Sequence, residues 1–335
     1  MKSIVIKRPY HVEIENTEIP TLGLKDVLVK TKVSGISSGT EMTLYRGTHP
    51  NLKTKKWNYW TEYPIYPGYE IAGIVTEVGS SVKDFSKGDR VVGLGTHGEY
   101  AKIPVNDLSK LPNNVGFEES TLAVLGATSM HAIRRANIRY RDTVTIIGAG
   151  VVGILAMQHA KLSGAGIVII IDLNKERLNI ADRLGADCTI NAGIDNPVKK
   201  VWEITGIGSD IVIEATGNPE AVKQSLLLVR ERGHIVVLGY HTKPVELLLG
   251  DDFYHKELEI ISTRATGPIP GLPYSYIRWT SDKNLKEAVN LISNNDLKVR
   301  EMITHVFKYK EIKKIYEEID KGSLKGYCQI ILNWE

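Results

Sequence analysis

Residues 143–153 read TVTIIGAGVVG, a short apolar strand that runs directly into Gly148, Gly150 and Gly153. A helical pattern continues to about Ser163. A second apolar run, IVIIID, then ends in Asp172, 24 positions beyond Gly148. A lone G-x-G-x-x-G says little, but set between strand and helix, with an acid closing the next strand, it is a full dinucleotide-binding fingerprint. Gly148 permits the tight turn, Gly150 lets the backbone approach a pyrophosphate, and Gly153 lets the helix pack on the strand. The diphosphate then faces the positive end of a helix dipole. Ala149, Val151 and Val152 complete the predicted cradle. Asp172 is expected to take the ribose hydroxyls, with Leu173 beside it and Arg177 flanking the adenosine. A 2′-phosphate at Asp172 would meet like charge, so the predicted cofactor is NAD.

The pattern repeats downstream in DIVIEATG (210–217), HIVVLG (234–239) and LEIIST (258–263), separated by helix-length segments. That alternation predicts a doubly wound parallel sheet. The turns holding Ala215, Thr216 and Gly217, and Leu238, Gly239 and Tyr240, fall at carboxyl ends of strands. There they are expected to border the nicotinamide half. Residues 1 to 128 read differently, as short alternating strands such as SIVIK, DVLVKTKVSG, GIVTEVG and EYAKI, which predict a β-rich domain. The segment from 264 carries two helical patterns and a last strand, CQIIL, and is expected to return to that first domain. The predicted division is 1–128 with 264–335, and 129–263.

With 335 residues, 42% apolar and 24% charged, the chain can bury two separate cores. Its 42 basic and 39 acidic residues leave a net charge of +3, far from a nucleic-acid-binding footprint. Two cysteines, Cys188 and Cys328, give neither a disulfide framework nor a zinc cluster, and fit a reducing cytoplasm. The first residues show no ordinary signal peptide. The longest apolar region is punctuated by glycines and broken by Gln158, His159 and Lys161, so no membrane span is expected.

SGISSGTE (34–41), PGYE (67–70), VGSSVKDFSKGDRV (78–91), GAGVVG and EATGN occur in an order that resembles the medium-chain dehydrogenase/reductase superfamily along essentially the whole chain. The resemblance implies an α/β fold class: a GroES-like β-rich catalytic domain plus a Rossmann coenzyme domain. It also implies a small-molecule substrate and a homodimer or homotetramer, joined through an exposed sheet edge of the Rossmann domain. In zinc members a cysteine stands at the position matched to Ser38, a histidine at Tyr69, and a cysteine or glutamate at Val124. A serine, a phenol and a valine cannot make a tetrahedral zinc site. The segment GDRVVGLGTHGEYAKI runs straight across the place of the four-cysteine lobe. The pairing of SGTE with PGYE is similar to a metal-free branch that includes bacteriochlorophyllide a dehydrogenase and sugar- or cyclitol-type dehydrogenases.

Hydride transfer to a ketone builds negative charge on oxygen, which positioned donors can stabilise in place of a metal. The resemblance puts Thr40 at the hydroxyl that contacts substrate oxygen. Tyr69 is the expected second donor, with Ser38 nearby and Glu70 orienting the group or accepting a proton. The bland reading is that Tyr69 fills vacant space with its hydroxyl bonded to backbone. Thr43 stands where a relay histidine is usual. His49, His97 and His131 lack metal-site spacing and read as core or surface residues.

The segment 46–67, RGTHPNLKTKKWNYWTEYPIYP, reads as a solvated loop. Its functional reading is a substrate lid, with Arg46, Lys53, Lys55 or Lys56 attracting an anion and Trp57, Tyr59 or Trp60 covering a ring. Trp279 is either an opposite wall or a core anchor. The expected function is a zinc-independent NAD-linked secondary-alcohol dehydrogenase acting on a sugar, cyclitol or other ring substrate. The alternatives are a zinc-free enone or quinone reductase, which usually prefers NADPH and so fits Asp172 poorly, and a non-catalytic dinucleotide-binding protein.

Overall fold

The alternating residues at the start of the chain form β1 (Lys2–Arg8) and β2 (His11–Asn16), an antiparallel pair with Ile4 opposite Ile14. They belong to a computed structural model that describes residues 1–270, 273–275 and 277–335. β3 (Asp26–Ile36) leads into the short helices α1 (Ser38–Tyr45) and α2 (Pro50–Thr54). It pairs antiparallel with β4 (Ile71–Val78), which places Ser34 opposite Ile71. That register is what brings SGTE and PGYE together, because the first follows the end of β3 and the second precedes the start of β4. β5 (Arg90–Gly93), β6 (Tyr100–Pro104) and β7 (Leu108–Lys110) extend the sheet.

Helix α3 (Phe117–Ala136) carries the chain from one compact unit into the other, the division falling between Val124 and Leu125 rather than at 128. In the second unit β8 (Thr143–Ile147), α4 (Val151–Leu162), β9 (Ile167–Asp172), α5 (Lys175–Arg183), β10 (Cys188–Asn191), α6 (Pro197–Thr205), β11 (Ser209–Glu214), α7 (Pro219–Leu228), β12 (Val229–Val237) and β13 (Glu259–Ser262) alternate. The strands are parallel in the order β10-β9-β8-β11-β12-β13, so the winding reverses between β8 and β11. Both faces of such a sheet are covered, which is why its strands are nearly continuous apolar runs: Val168, Ile169 and Ile170 are wholly buried. Asn174, Asn196 and Asn218 each cap the helix that follows with a side-chain oxygen. This is the doubly wound sheet that the strand–helix alternation predicts.

The last part of the chain adds α8 (Ser281–Ser293), β14 (Ile303–Lys308), α9 (Ile312–Asp320) and β15 (Gln329–Asn333). β15 pairs with β3, giving a first-unit sheet in the order β14-β15-β3-β4-β5-β7, with β6 on β3. The first unit is therefore residues 1–124, 281–294 and 302–335, and the second 125–280 with 295–301. The return predicted at 264 occurs later because Thr266 N–H donates to Thr128 and holds its segment in the second unit. Residues 295–301 stay there too, where Lys298 exchanges two hydrogen bonds with the Gln158 side chain. Among the described residues no helix is long and apolar enough to cross a membrane.

Candidate active site

In the second unit the glycine turn is shaped by contact and by vacancy. Gly148 has φ +107°, and a Cβ on Gly153 would lie 1.8 Å from the Gly148 carbonyl oxygen, so helix and turn touch only because Gly153 has no side chain. A Cβ at Gly150 would meet nothing within 4 Å. Gly150 is also the N-cap of α4 and gives its first N–H groups no side-chain acceptor, leaving an open row of donors suited to a phosphate. Ala149 is buried in the turn, while Val151 and Val152 open α4 half-buried. Asp172 accepts Ala149 N–H (2.6 Å) on one oxygen and Asn174 N–H (2.8 Å) on the other, which fixes its carboxylate beside the turn. Leu173 next to it is exposed, and the Arg177 N–H is tied to the Asn174 cap.

Glu214, at the end of β11, is an organising residue that the sequence reading missed. Fully buried, it accepts the N–H groups of Thr216 (2.6 Å) and Gly217 (2.9 Å) together with the Thr216 hydroxyl on one oxygen, and pairs with His241 Nε2 (2.8 Å) on the other. Its backbone carbonyl accepts the N–H groups of Leu238 and Gly239. One residue thus joins the two carboxyl-end turns, with Tyr240 exposed beside them. The available signal was a glutamate inside an apolar strand, at EATG.

In the first unit Tyr69 donates its O–H to Ser37, and Thr40 Oγ1 lies 3.5 Å from the same phenol oxygen. The partner is Ser37 and not Ser38: the adjacent Ser38 begins α1 and makes no hydrogen bond to the phenol. The bond to a side chain also departs from the backbone partner of the bland reading. Burial, then the Glu70 carboxyl, push the Tyr69 pKa well above its ordinary 10, against the bonds to Ser37 and Thr40. The phenol therefore stays a donor.

Glu70 is turned away from the phenol. It is fully buried, accepts Gln329 Nε2 (3.1 Å) on Oε2, and has no partner for Oε1 among the described residues. Burial, then the neighbouring Glu41, raise its pKa well above 4.5, against the hydrogen bond from Gln329. Thr43 donates to the Thr40 carbonyl (2.7 Å). Val124 is buried in α3.

The 46–67 segment is stapled down and not a free flap. Asn51, 1% exposed, donates to the carbonyls of Trp57 and Tyr59 and accepts Trp57 N–H (3.1 Å). Buried His49 accepts Asn51 N–H, and burial lowers its pKa. The ring at the phenol is Trp60 rather than Trp57. Trp60 lies 6.4 Å from Tyr69 between ring centroids, has φ +52°, and packs edge-on against His49 and Tyr59. A bulky side chain at such a φ is a strained position, of the kind that clusters at ligand sites. Trp57 is 58% exposed. Arg46 is paired with Asp320 (2.6 Å) and so is not a ready anion anchor. Trp279 lies in the second unit with the Arg134 guanidinium 3.7 Å over its ring. His131 is held near pKa 4 by burial and then by Arg135, Arg134 and Arg264. Among the described residues no three His, Cys, Asp or Glu side chains are grouped to hold a metal.

Residues 23–113 match the alcohol dehydrogenase GroES-like domain, and residues 151–280 match the zinc-binding dehydrogenase family. The chain is 30% identical to an L-threonine 3-dehydrogenase of Symbiobacterium thermophilum over 71% of this chain and 75% of that one. It is 28% identical to rat (Rattus norvegicus) sorbitol dehydrogenase over 96% and 93%. The solved structure of alcohol dehydrogenase TADH from Thermus sp. ATN1 superposes with a TM-score of 0.82 at 25% identity, covering 99% of both chains.

Proposed function

The chain belongs to the medium-chain, zinc-type alcohol dehydrogenase-like superfamily, and from that premise we propose that it interconverts a secondary alcohol and a ketone on a sugar- or cyclitol-like ring without a catalytic metal. The observation that carries this reading is the hydroxyl cluster of Tyr69, Ser37 and Thr40. The residues present do not fit zinc, because two aliphatic hydroxyls and a phenol held protonated supply no nitrogen, sulfur or carboxylate ligand. They do fit an oxygen on which negative charge develops. In the reducing direction the Tyr69 O–H turns from Ser37 to the substrate oxygen, while Thr40 offers a second hydroxyl. Trp60 supplies a flat face beside the phenol against which the C–H side of a ring can pack.

The nicotinamide dinucleotide supplies the hydride acceptor or donor when bound. Gly148, Gly150 and Gly153 would hold its diphosphate, and Asp172 would bind the adenosine ribose, a role that favours NAD over NADP. NADH formation over a panel of polyols and cyclitols identifies the alcohol. Tyr69→Phe is then expected to lower turnover by about 10² to 10³ while NADH affinity, read by fluorescence, stays unchanged. Full turnover by folded Tyr69→Phe would reduce the tyrosine to packing.

A further inference from the structure

Behind the hydroxyl cluster lies a buried network that the reaction as described does not use. His97 and Glu41 are both 0% exposed, with His97 Nε2 3.1 Å from Glu41 Oε2 and His97 Nδ1 2.8 Å from Ser34 Oγ. The indole N–H of Trp334, which can only donate, occupies Ser34 Oγ at 2.8 Å. Ser34 can then donate its own proton to His97 Nδ1, the arrangement that keeps the imidazole proton on Nε2, facing Glu41. Glu41 Oε2 also accepts the Tyr316 O–H, and its Oε1 accepts the Ser37 N–H (2.7 Å). Burial, then the Glu41 charge, push the Tyr316 pKa far up, so that phenol remains a donor.

Each member of this pair touches one half of the Tyr69–Ser37 contact. Glu41 holds the backbone of Ser37. His97 packs against Gly68, where φ is +90° and a Cβ would come within 2.7 Å of the imidazole, and the His97 backbone N–H donates to the Pro67 carbonyl (2.9 Å). Gly68 immediately precedes Tyr69, so the pair fixes the backbone on both sides of the bond.

We propose that His97 and Glu41 are positioning residues that fix the Tyr69 ring beside Ser37, so that its O–H turns to the substrate oxygen in the geometry hydride transfer needs. The proposal rests on the reading of Tyr69 as the polarising donor, and its test separates the two. With 3-fluorotyrosine at position 69, the fluorine resonance of the full chain reports the phenol's placement with no substrate required. His97→Asn is expected to shift and broaden that line. Tyr316→Phe, which removes one donor to Glu41 and is the variant of choice if His97→Asn does not fold, is expected to shift it less. Val27→Ala, in the separate core cluster of the same unit, serves as control and is expected to leave it in place. A line unmoved by His97→Asn and Tyr316→Phe, or moved equally by Val27→Ala, overturns the proposal.

On turnover of D-sorbitol or myo-inositol, His97→Asn is expected to cost about 10-fold to 10²-fold, the scale of a misplaced catalytic group. In the Tyr69→Phe background the same change is expected to cost almost nothing further, since its effect runs through the phenol. Full additivity of the two substitutions contradicts positioning. Normal turnover by Tyr69→Phe alone contradicts the catalytic reading and leaves the fluorine result to stand by itself.

Discussion

Glu70 binds a proton more tightly in the folded protein than in the unfolded chain. Its folded pKa lies well above 4.5 because the carboxyl is buried and Glu41 is close. The folded state then binds the proton more tightly, so the stability this group contributes is complete below about 4.5 and is lost as pH rises through the folded-state value. Glu70→Gln, which keeps the shape and never ionises, is expected to flatten the decline of the denaturant midpoint between acid and neutral pH. Parallel profiles for the two proteins would show that Glu70 has the same pKa in the folded and unfolded states.

Asp172 makes a separate claim on cofactor choice. Two unit charges ~4 Å apart near a protein surface interact by roughly 4 kcal/mol, and a third of that is about tenfold. At least that preference for NAD in kcat/KM is expected, narrowing in Asp172→Ala, and equal efficiency with both cofactors would contradict the assignment. At this scale the sequence left one ambiguity. The reading of SGISSGTE puts Ser38 near the phenol, yet Glu41 reaches back to Ser37 N–H and the helix begins with Ser37 as its cap. Adjacent serines are indistinguishable until the helix start is fixed.

Elements show the same contrast between what is local and what is not. The turn from β8 to α4 was legible because every constraint on it lies in the one continuous stretch 143–172: strand, glycines, helix and the acid ending β9. The staple in the 46–67 segment was not, since nothing marks Asn51 as the residue whose amide binds the backbone at Trp57 and Tyr59. Asn51→Ala removes the side-chain partner of those part-buried backbone groups, a cost of about 1 kcal/mol. It is expected to make the segment a preferred site of limited proteolysis and to raise KM for the alcohol more than it lowers kcat. Unchanged protease resistance would mean that other contacts hold Trp60 in place. The late return of the chain to the first unit was hidden for a similar reason, because Thr128 with Thr266 and Gln158 with Lys298 are pairs far apart in sequence.

For the whole molecule, the two units carry separable tasks. The second is a doubly wound sheet whose carboxyl-end turns are organised by Asp172 and Glu214. The first is a β-rich unit that offers the hydroxyls of Tyr69, Ser37 and Thr40, backed by a buried imidazole and carboxylate, with Tyr69 at a position the resemblance matched to a metal ligand. A family matched through a zinc-binding dehydrogenase model and a donor set unsuited to zinc meet in one chain. Elemental analysis of the dialysed protein, paired with NADH formation in a strong chelator, tests this most directly. The account expects no stoichiometric zinc and undiminished turnover, and a tightly held zinc in every chain whose removal abolishes turnover would contradict it.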